Sequence, residues 1–296
     1  MPFLRERSGR WSPVKIVAFA AALFPALWVA YQAATDDLGP RPITEAIHQI
    51  GIWTFRFLLI TLAITPAQRI LRYPRLIGAR RTLGVAVAVY AGTHLSLYVL
   101  DQHFDLLKVV SEIALRIYLT IGFVALAGLM ALATTSTDAA ARRLGSQRWS
   151  ALHRCVYAIA LLASVHFFMQ SKLEIYEPVL MAGFLIWLLT FRVLFWRNGE
   201  IPPLQLLLLA LAAAMATAAG EAAIYFFSSG VDARRLLLAH FDIDMEVRPA
   251  WWVLAAGVAV AAAGWWRYKP ARPRPRARAG SPRAIGSGAS PALEQN

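Results

Sequence analysis

The chain has 296 residues, of which 58% are hydrophobic and only 16% charged, and its mean hydropathy is +0.51. A soluble protein of this size covers its surface with more polar side chains, so a water-exposed globular domain is excluded. The net charge of +13 invites nucleic acid, but basic residues flanking apolar spans are the usual signature of topology and lipid anchoring, and no nucleic-acid partner is expected.

Eight segments are apolar enough, and near enough to the ~20 helical residues that a ~30 Å hydrocarbon core requires, to be read as spans. They fall at about 14–34, 46–65, 82–101, 115–134, 150–170, 178–196, 202–226 and 249–267. The first follows Arg5, Arg7, Arg10 and Lys15, as a signal peptide would. It nevertheless contains Pro25 and Trp28 and runs on without a clear small-x-small cleavage site, so a retained helix is expected. The second is interrupted by Arg56 and closed by Arg69. Proline and glycine clusters, "LGPRP" and "NGEIPP", mark connections. Cys155 is the single cysteine, which excludes an internal disulfide and covalent haem attachment through C-x-x-C-H.

Lys and Arg concentrate in alternate connections: the N-terminus, 66–81, 135–149, the end of the sixth helix at Arg192 and Arg197, and the tail after Arg267. The intervening loops hold most of the acids, among them Asp36, Asp37, Asp101, Asp105, Glu174 and Glu177. The positive-inside bias puts the first set in the cytoplasm. Both termini are then inside, as an even number of helices demands.

Ionisable groups within the bilayer are costly and are functional candidates by default. A single intramembrane histidine is as readily explained as a hydrogen-bonded packing residue, but three on two helices form a pattern. His94 lies thirteen residues beyond Arg81, ~20 Å into the third helix. In the fifth, His153 is near the entry and His166 near the exit, so His94 matches His166 in depth rather than His153. Two imidazoles at one depth on different helices can give an iron porphyrin both axial ligands, an arrangement suited to electron transfer. His153 belongs to a second level, and on a straight helix it points ~140° away from His166. No H-E-x-x-H, G-x-G-x-x-G or P-loop occurs, so a nucleotide domain of the chain's own is not expected.

The stretch "GIWTFRFLLITLAITPAQRILRYPRLIGARRTLGVAVAVYAGTHLSLYVLDQ", with "TTSTDAAARRLGSQRWSALHRCVYAIALLASVHFF", resembles the MsrQ family. These are the haem-binding membrane subunits of bacterial periplasmic methionine sulfoxide reductase systems, within the ferric-reductase-like transmembrane group. The resemblance covers roughly 45–198. It implies an all-α polytopic membrane protein: a six-helix ferric-reductase-like haem-binding bundle, here with two extra C-terminal transmembrane helices.

The units are then residues 1–44 (cytoplasmic N-terminus and first helix), 45–198 (haem-binding helices), 199–268 (two additional helices with a periplasmic loop) and 269–296 (a disordered basic tail). The resemblance further implies haem b, one or two, with iron held by His94, His166 and His153. The wider group has two histidines on each ligand helix, but Arg80 and Arg81 stand where the third helix would carry its second. They are therefore candidates for FMN, alongside ordinary positive-inside anchoring, and Arg154 and Arg56 for haem propionates. Electrons would come from the quinone pool or a cytoplasmic flavin reductase. They would leave to a periplasmic molybdopterin subunit that reduces methionine sulfoxide in proteins, the chain sitting in the bacterial inner membrane among lipid. One alternative is a transmembrane ferric-chelate reductase. Another is a transporter or scaffold with structural histidines, for which Arg56 and Glu221 would be the telling residues.

Overall fold

The computed structural model describes residues 10–171, 174–242 and 246–267. Eight helical segments are long and apolar enough to cross a membrane, and the chain is an all-α polytopic membrane protein. In chain order the helices are α1 (Pro13–Ala34), α2 (Pro42–Ile70), α3 (Ile77–Asp101), α4 (Leu106–Leu115), α5 (Ile117–Thr134), α6 (Asp138–Arg154), α7 (Val156–Gln170), α8 (Tyr176–Asn198), α9 (Pro203–Ser229), α10 (Ala233–Ala239) and α11 (Pro249–Arg267). The expected disordered tail, 269–296, lies outside the described residues.

Most predicted spans appear with at least one longer end, because capping turns and basic flanks extend the apolar cores; 249–267 keeps its bounds and α5 begins at Ile117. Two short helices were not expected. The amphipathic α4, capped by the Asp105 carboxylate accepting from Lys108 N–H at 3.0 Å, bridges α3 and α5. The other, α10, begins at Asp232, which accepts from Arg234 N–H. The fifth predicted span is also not one uniform helix from Arg148. Helix starts at Asp138, bends at Gly145 (φ +73°), where glycine carries no Cβ penalty, and is divided at Cys155 into α6 and α7.

The core is built on α2, α3 and α8, with α5 and α7 against it. Helix α1 joins it through an inserted side chain. Pro25 interrupts the α1 ladder, and at the next residue Ala26 N–H donates to the Tyr90 hydroxyl at 2.9 Å. That hydroxyl donates on to Ala22 C=O at 2.6 Å. One phenol from α3 thus completes two backbone groups that lipid could not satisfy. Tyr90→Phe should cost ~1–3 kcal/mol, the penalty of orphaning buried polar groups. The expected readout is a lower unfolding midpoint in detergent, with helix content retained.

The additional helices α9 and α11 pack on α8 through small residues. A Cβ on Gly257 would meet Ala210, and one on Gly183 would meet Thr217 and Val253, the close approach that holds membrane helices together without a hydrophobic drive. Their ionisable groups are tied to one another. Glu221, 3% exposed, faces Arg248 at 3.1 Å and His240 at 3.3 Å. Trp251 Nε1 donates to His240 C=O, and Tyr176 donates to Val247 C=O. This accounts for Glu221 as a closure of the C-terminal helices.

The connections 66–81 and 135–149 at one end of the bundle are rich in arginine, as is the end of α8 with Arg192 and Arg197, and the connections at the other end carry most of the acids. They are called here the basic and acidic ends.

Candidate functional site

His94 of α3 and His166 of α7 come together near the acidic end. Their ring centroids are 6.5 Å apart, with planes at 88°. The equality of depth expected from residue counting is therefore realised as a facing pair between α2, α3, α5 and α7. Phe55 of α2 stands edge-on to Phe167 beside it, at 6.1 Å.

Each ring is held in the same way. His94 Nδ1 lies 2.9 Å from Ile47 C=O, and His166 Nδ1 lies 2.8 Å from Tyr118 C=O. A carbonyl only accepts, so both Nδ1 atoms carry the proton and donate. In a neutral ring that leaves the Nε2 lone pair for a metal, the tautomer fixed by the other nitrogen's bond.

The two acceptors share a register. Gly51 follows Ile47 by four residues, and Gly122 follows Tyr118 by four. In a helix the side chain four residues on lies next to that carbonyl on the same face. With glycine there, the second lone pair of the carbonyl is open to the incoming imidazole. A Cβ on Gly122 would stand 2.7 Å from His166 Cε1 and Nδ1, and one on Gly51 would stand 3.0 Å from His94 Cε1. These glycines and carbonyls are the part of the site that sequence reasoning missed. A glycine in an apolar span is a weak signal, and a backbone acceptor leaves none.

The donor set suits a particular kind of metal group. Among the described residues no three His, Cys, Asp or Glu side chains gather as a metal site, and what this site presents is a pair of imidazole nitrogens. Two metal–imidazole bonds of ~2.0–2.1 Å, plus the distance from each nitrogen to its ring centre, put the centroids ~6–6.5 Å apart. The observed separation fits a shared central metal whose remaining ligands arrive with it, as in a porphyrin.

His153 lies elsewhere. It is on α6 at the basic end, stacked on Trp149 with centroids 4.0 Å apart, and its Nε2 is 3.3 Å from Thr135 Oγ1. Trp149 Nε1 in turn donates to Thr135 C=O. The other histidines stand toward the opposite end: His48 early in α2, His103 after α3 and His240 after α10. His153 thus has no second imidazole at its own level.

The four arginines separate as well. Arg56 donates to Glu177 at 2.7 Å and lies over Trp53 at 4.9 Å. It sits five residues past Gly51, ~140° around α2 from the face that seats His94. Arg81 donates to Ser136 C=O and to Asp138 at 2.9 Å, tying α3 to the start of α6. Arg80 is half-buried and within electrostatic reach of His153. Arg154 is exposed, twelve residues before His166 and so ~18 Å from it along the axis.

Comparison with known proteins follows these lines. Residues 50–164 match the family model described as ferric reductase like transmembrane component. That span includes His94 and His153 and ends two residues before His166. The chain is 42% identical over 191 residues to a protein of Xanthomonas euvesicatoria pv. vesicatoria (strain 85-10), covering 62% of this chain and 86% of that one. It is 39% identical over 190 residues to one of Rhodospirillum rubrum, covering 64% and 89%. A Caulobacter vibrioides protein is 36% identical over 178 residues, covering 60% and 85%. All three are named protein-methionine-sulfoxide reductase heme-binding subunit MsrQ. No solved structure matches the chain at a significant level.

Proposed function

The chain belongs to the MsrQ family of haem-binding subunits of protein-methionine-sulfoxide reductase, and from that membership we propose a membrane electron-transfer subunit with one bis-histidine haem b on His94 and His166. The observation that carries this reading is the facing pair of rings, each with Nδ1 committed to a backbone carbonyl. A haem held by these two imidazoles would supply reversible one-electron transfer.

What the chain's own groups do follows from their geometry. The Ile47 and Tyr118 carbonyls hold both imidazoles in the tautomer that presents Nε2, and they make the rings more basic ligands. Gly51 and Gly122 set how closely the rings seat. The apolar walls, Phe55 and Phe167 among them, keep water from the pair. His153 is given a separate role at the basic end, where Arg80 beside it is the residue proposed for FMN. Arg56, Arg81 and Arg154 are assigned to helix pairing and surface anchoring.

The positive-inside bias assigns the basic end, with both termini, to the cytoplasm of a bacterial inner membrane. The histidine pair then lies toward the periplasm. That supports delivery of electrons to a periplasmic molybdopterin subunit that reduces methionine sulfoxide in proteins, and supply from the quinone pool or a cytoplasmic flavin reductase. The alternative acceptor, a ferric chelate, rests on the description of the family model alone.

The test is an absorption spectrum of the protein purified from a haem-sufficient host. A Soret band with split α and β bands on reduction, at one haem per chain, is expected. Absence of the Soret band would sink the electron-transfer reading and leave a scaffold.

A further inference from the structure

At the basic end, where the C-terminal helices meet the family core, a cavity of about 260 Å³ opens between α2, α8, α9 and α11. Arg69, Arg72 and Arg267 stand around it with Glu200, while Phe195 and Leu206 are among its apolar walls. Arg69 Cζ lies over the Phe195 ring, 3.9 Å from its centroid, and both residues line the cavity. Arg192 is half-buried on α8 and within electrostatic reach of Arg69. None of the ion pairs among the described residues includes Arg69, Arg192 or Arg267. Arg72 itself takes a positive φ of +51°, an uncommon conformation for a non-glycine residue, of the kind that collects at ligand clamps. Gly264 closes the floor, where a Cβ would stand 2.9 Å from Leu206 and 3.4 Å from Ile70.

The Arg69, Arg192 and Arg267 guanidinium groups, outside the ion pairs among the described residues, repel one another unless an anion sits among them, and their planar donor fork fits phosphate. The lining combines guanidinium groups with apolar side chains. A free anion needs only the former, whereas a glycerophospholipid uses both. We propose that this cavity binds the phosphate headgroup of an anionic phospholipid, Arg69 and Arg267 gripping the phosphate from opposite walls. Basic pockets between membrane helices on the cytoplasmic side recognise such headgroups. The lipid would rivet α11 to α2 and so fix the two additional helices on the core. The proposal does not depend on the haem reading, since none of these residues approaches the histidine pair.

The test compares the wild type with Arg69→Gln/Arg267→Gln, taking Arg234→Gln/Arg235→Gln on α10 as a charge-matched control. Each is purified in mild detergent and weighed by native mass spectrometry, then reconstituted in phosphatidylcholine vesicles with and without 20–30% phosphatidylglycerol. The wild type and control should carry about one phospholipid and gain thermal stability from the anionic vesicles. The double variant should lose the bound lipid and most of that gain, with its Soret band unchanged as proof of folding. Equal lipid retention by the double variant would overturn the proposal. So would inorganic phosphate stabilising the wild type as well as the anionic vesicles do, which would make the ligand a soluble anion.

Discussion

His94→Ala and His166→Ala should each retain less than about a tenth of the wild-type haem when haem is measured per protein by the pyridine haemochrome. Each change removes one of the two nitrogens proposed to hold the haem and leaves, opposite it, an imidazole already fixed by a carbonyl. The loss is expected to be nearly symmetric because each ring is fixed by its own carbonyl; His48, which adjoins Ile47 and lies within electrostatic reach of His94, is the one histidine at that level whose replacement of the lost ligand would show as residual haem in His94→Ala. His153→Ala should leave the haem content close to wild type, since its recorded partners are Thr135 and Trp149 at the far end of the bundle. Full haem in either of the first two variants would break the proposed pair. A halving of haem in the third would instead require a second site.

The second large effect is expected where no side chain exists. Gly122→Ala places a methyl 2.7 Å from the His166 ring, and Gly51→Ala one 3.0 Å from His94. The rings must then swing off the Tyr118 and Ile47 carbonyls. Losing the partner of a ligating histidine typically costs ~10–100-fold in metal affinity, so haem should be depleted in the order Gly122→Ala, then Gly51→Ala. The haem that remains should have a more positive midpoint potential, because an imidazole without its Nδ1 acceptor donates less charge to iron. Gly92→Ala is the control. It lies on α3 two residues from His94, and a Cβ there meets nothing within 4 Å. If all three variants keep haem and potential alike, the glycines are packing residues only. A spectrum shifted in Gly122→Ala but not in Gly92→Ala is a result that a general loss of fold could not produce.

Much of this was legible before any coordinates. The eight spans follow from apolar length against bilayer thickness, a comparison that needs no tertiary information. The match in depth between His94 and His166 follows from a rise of 1.5 Å per residue counted from basic helix ends. Charge alternation assigned the ends. The resemblance over 45–198 supplied the family, and the structure supplied the pair's separation.

Other parts depended on which helix sits beside which and on how each is turned about its axis. Arg56 is a candidate propionate partner by sequence, and α8 brings Glu177 to it. Arg81 looked like a phosphate clamp beside Arg80, and the start of α6 engages it through Asp138. The fifth span read as one helix, since neither Gly145 nor Cys155 forces a break by residue type alone; the bend is settled by packing around them. Pro25 announced a flaw in α1, but not that Tyr90, more than sixty residues away, would fill it.

The sequence by itself therefore determined what the bilayer and the chain's own periodicity impose: the number of spans, and the level at which each titratable group sits. Only the tertiary structure decided which groups touch. It placed the Ile47 and Tyr118 carbonyls behind the two imidazoles and left glycine room for them. The physical reason is that a backbone acceptor has no residue identity. Its availability is set by the absence of a side chain one turn away and by the rotation of a neighbouring helix, and that rotation is fixed by long-range packing.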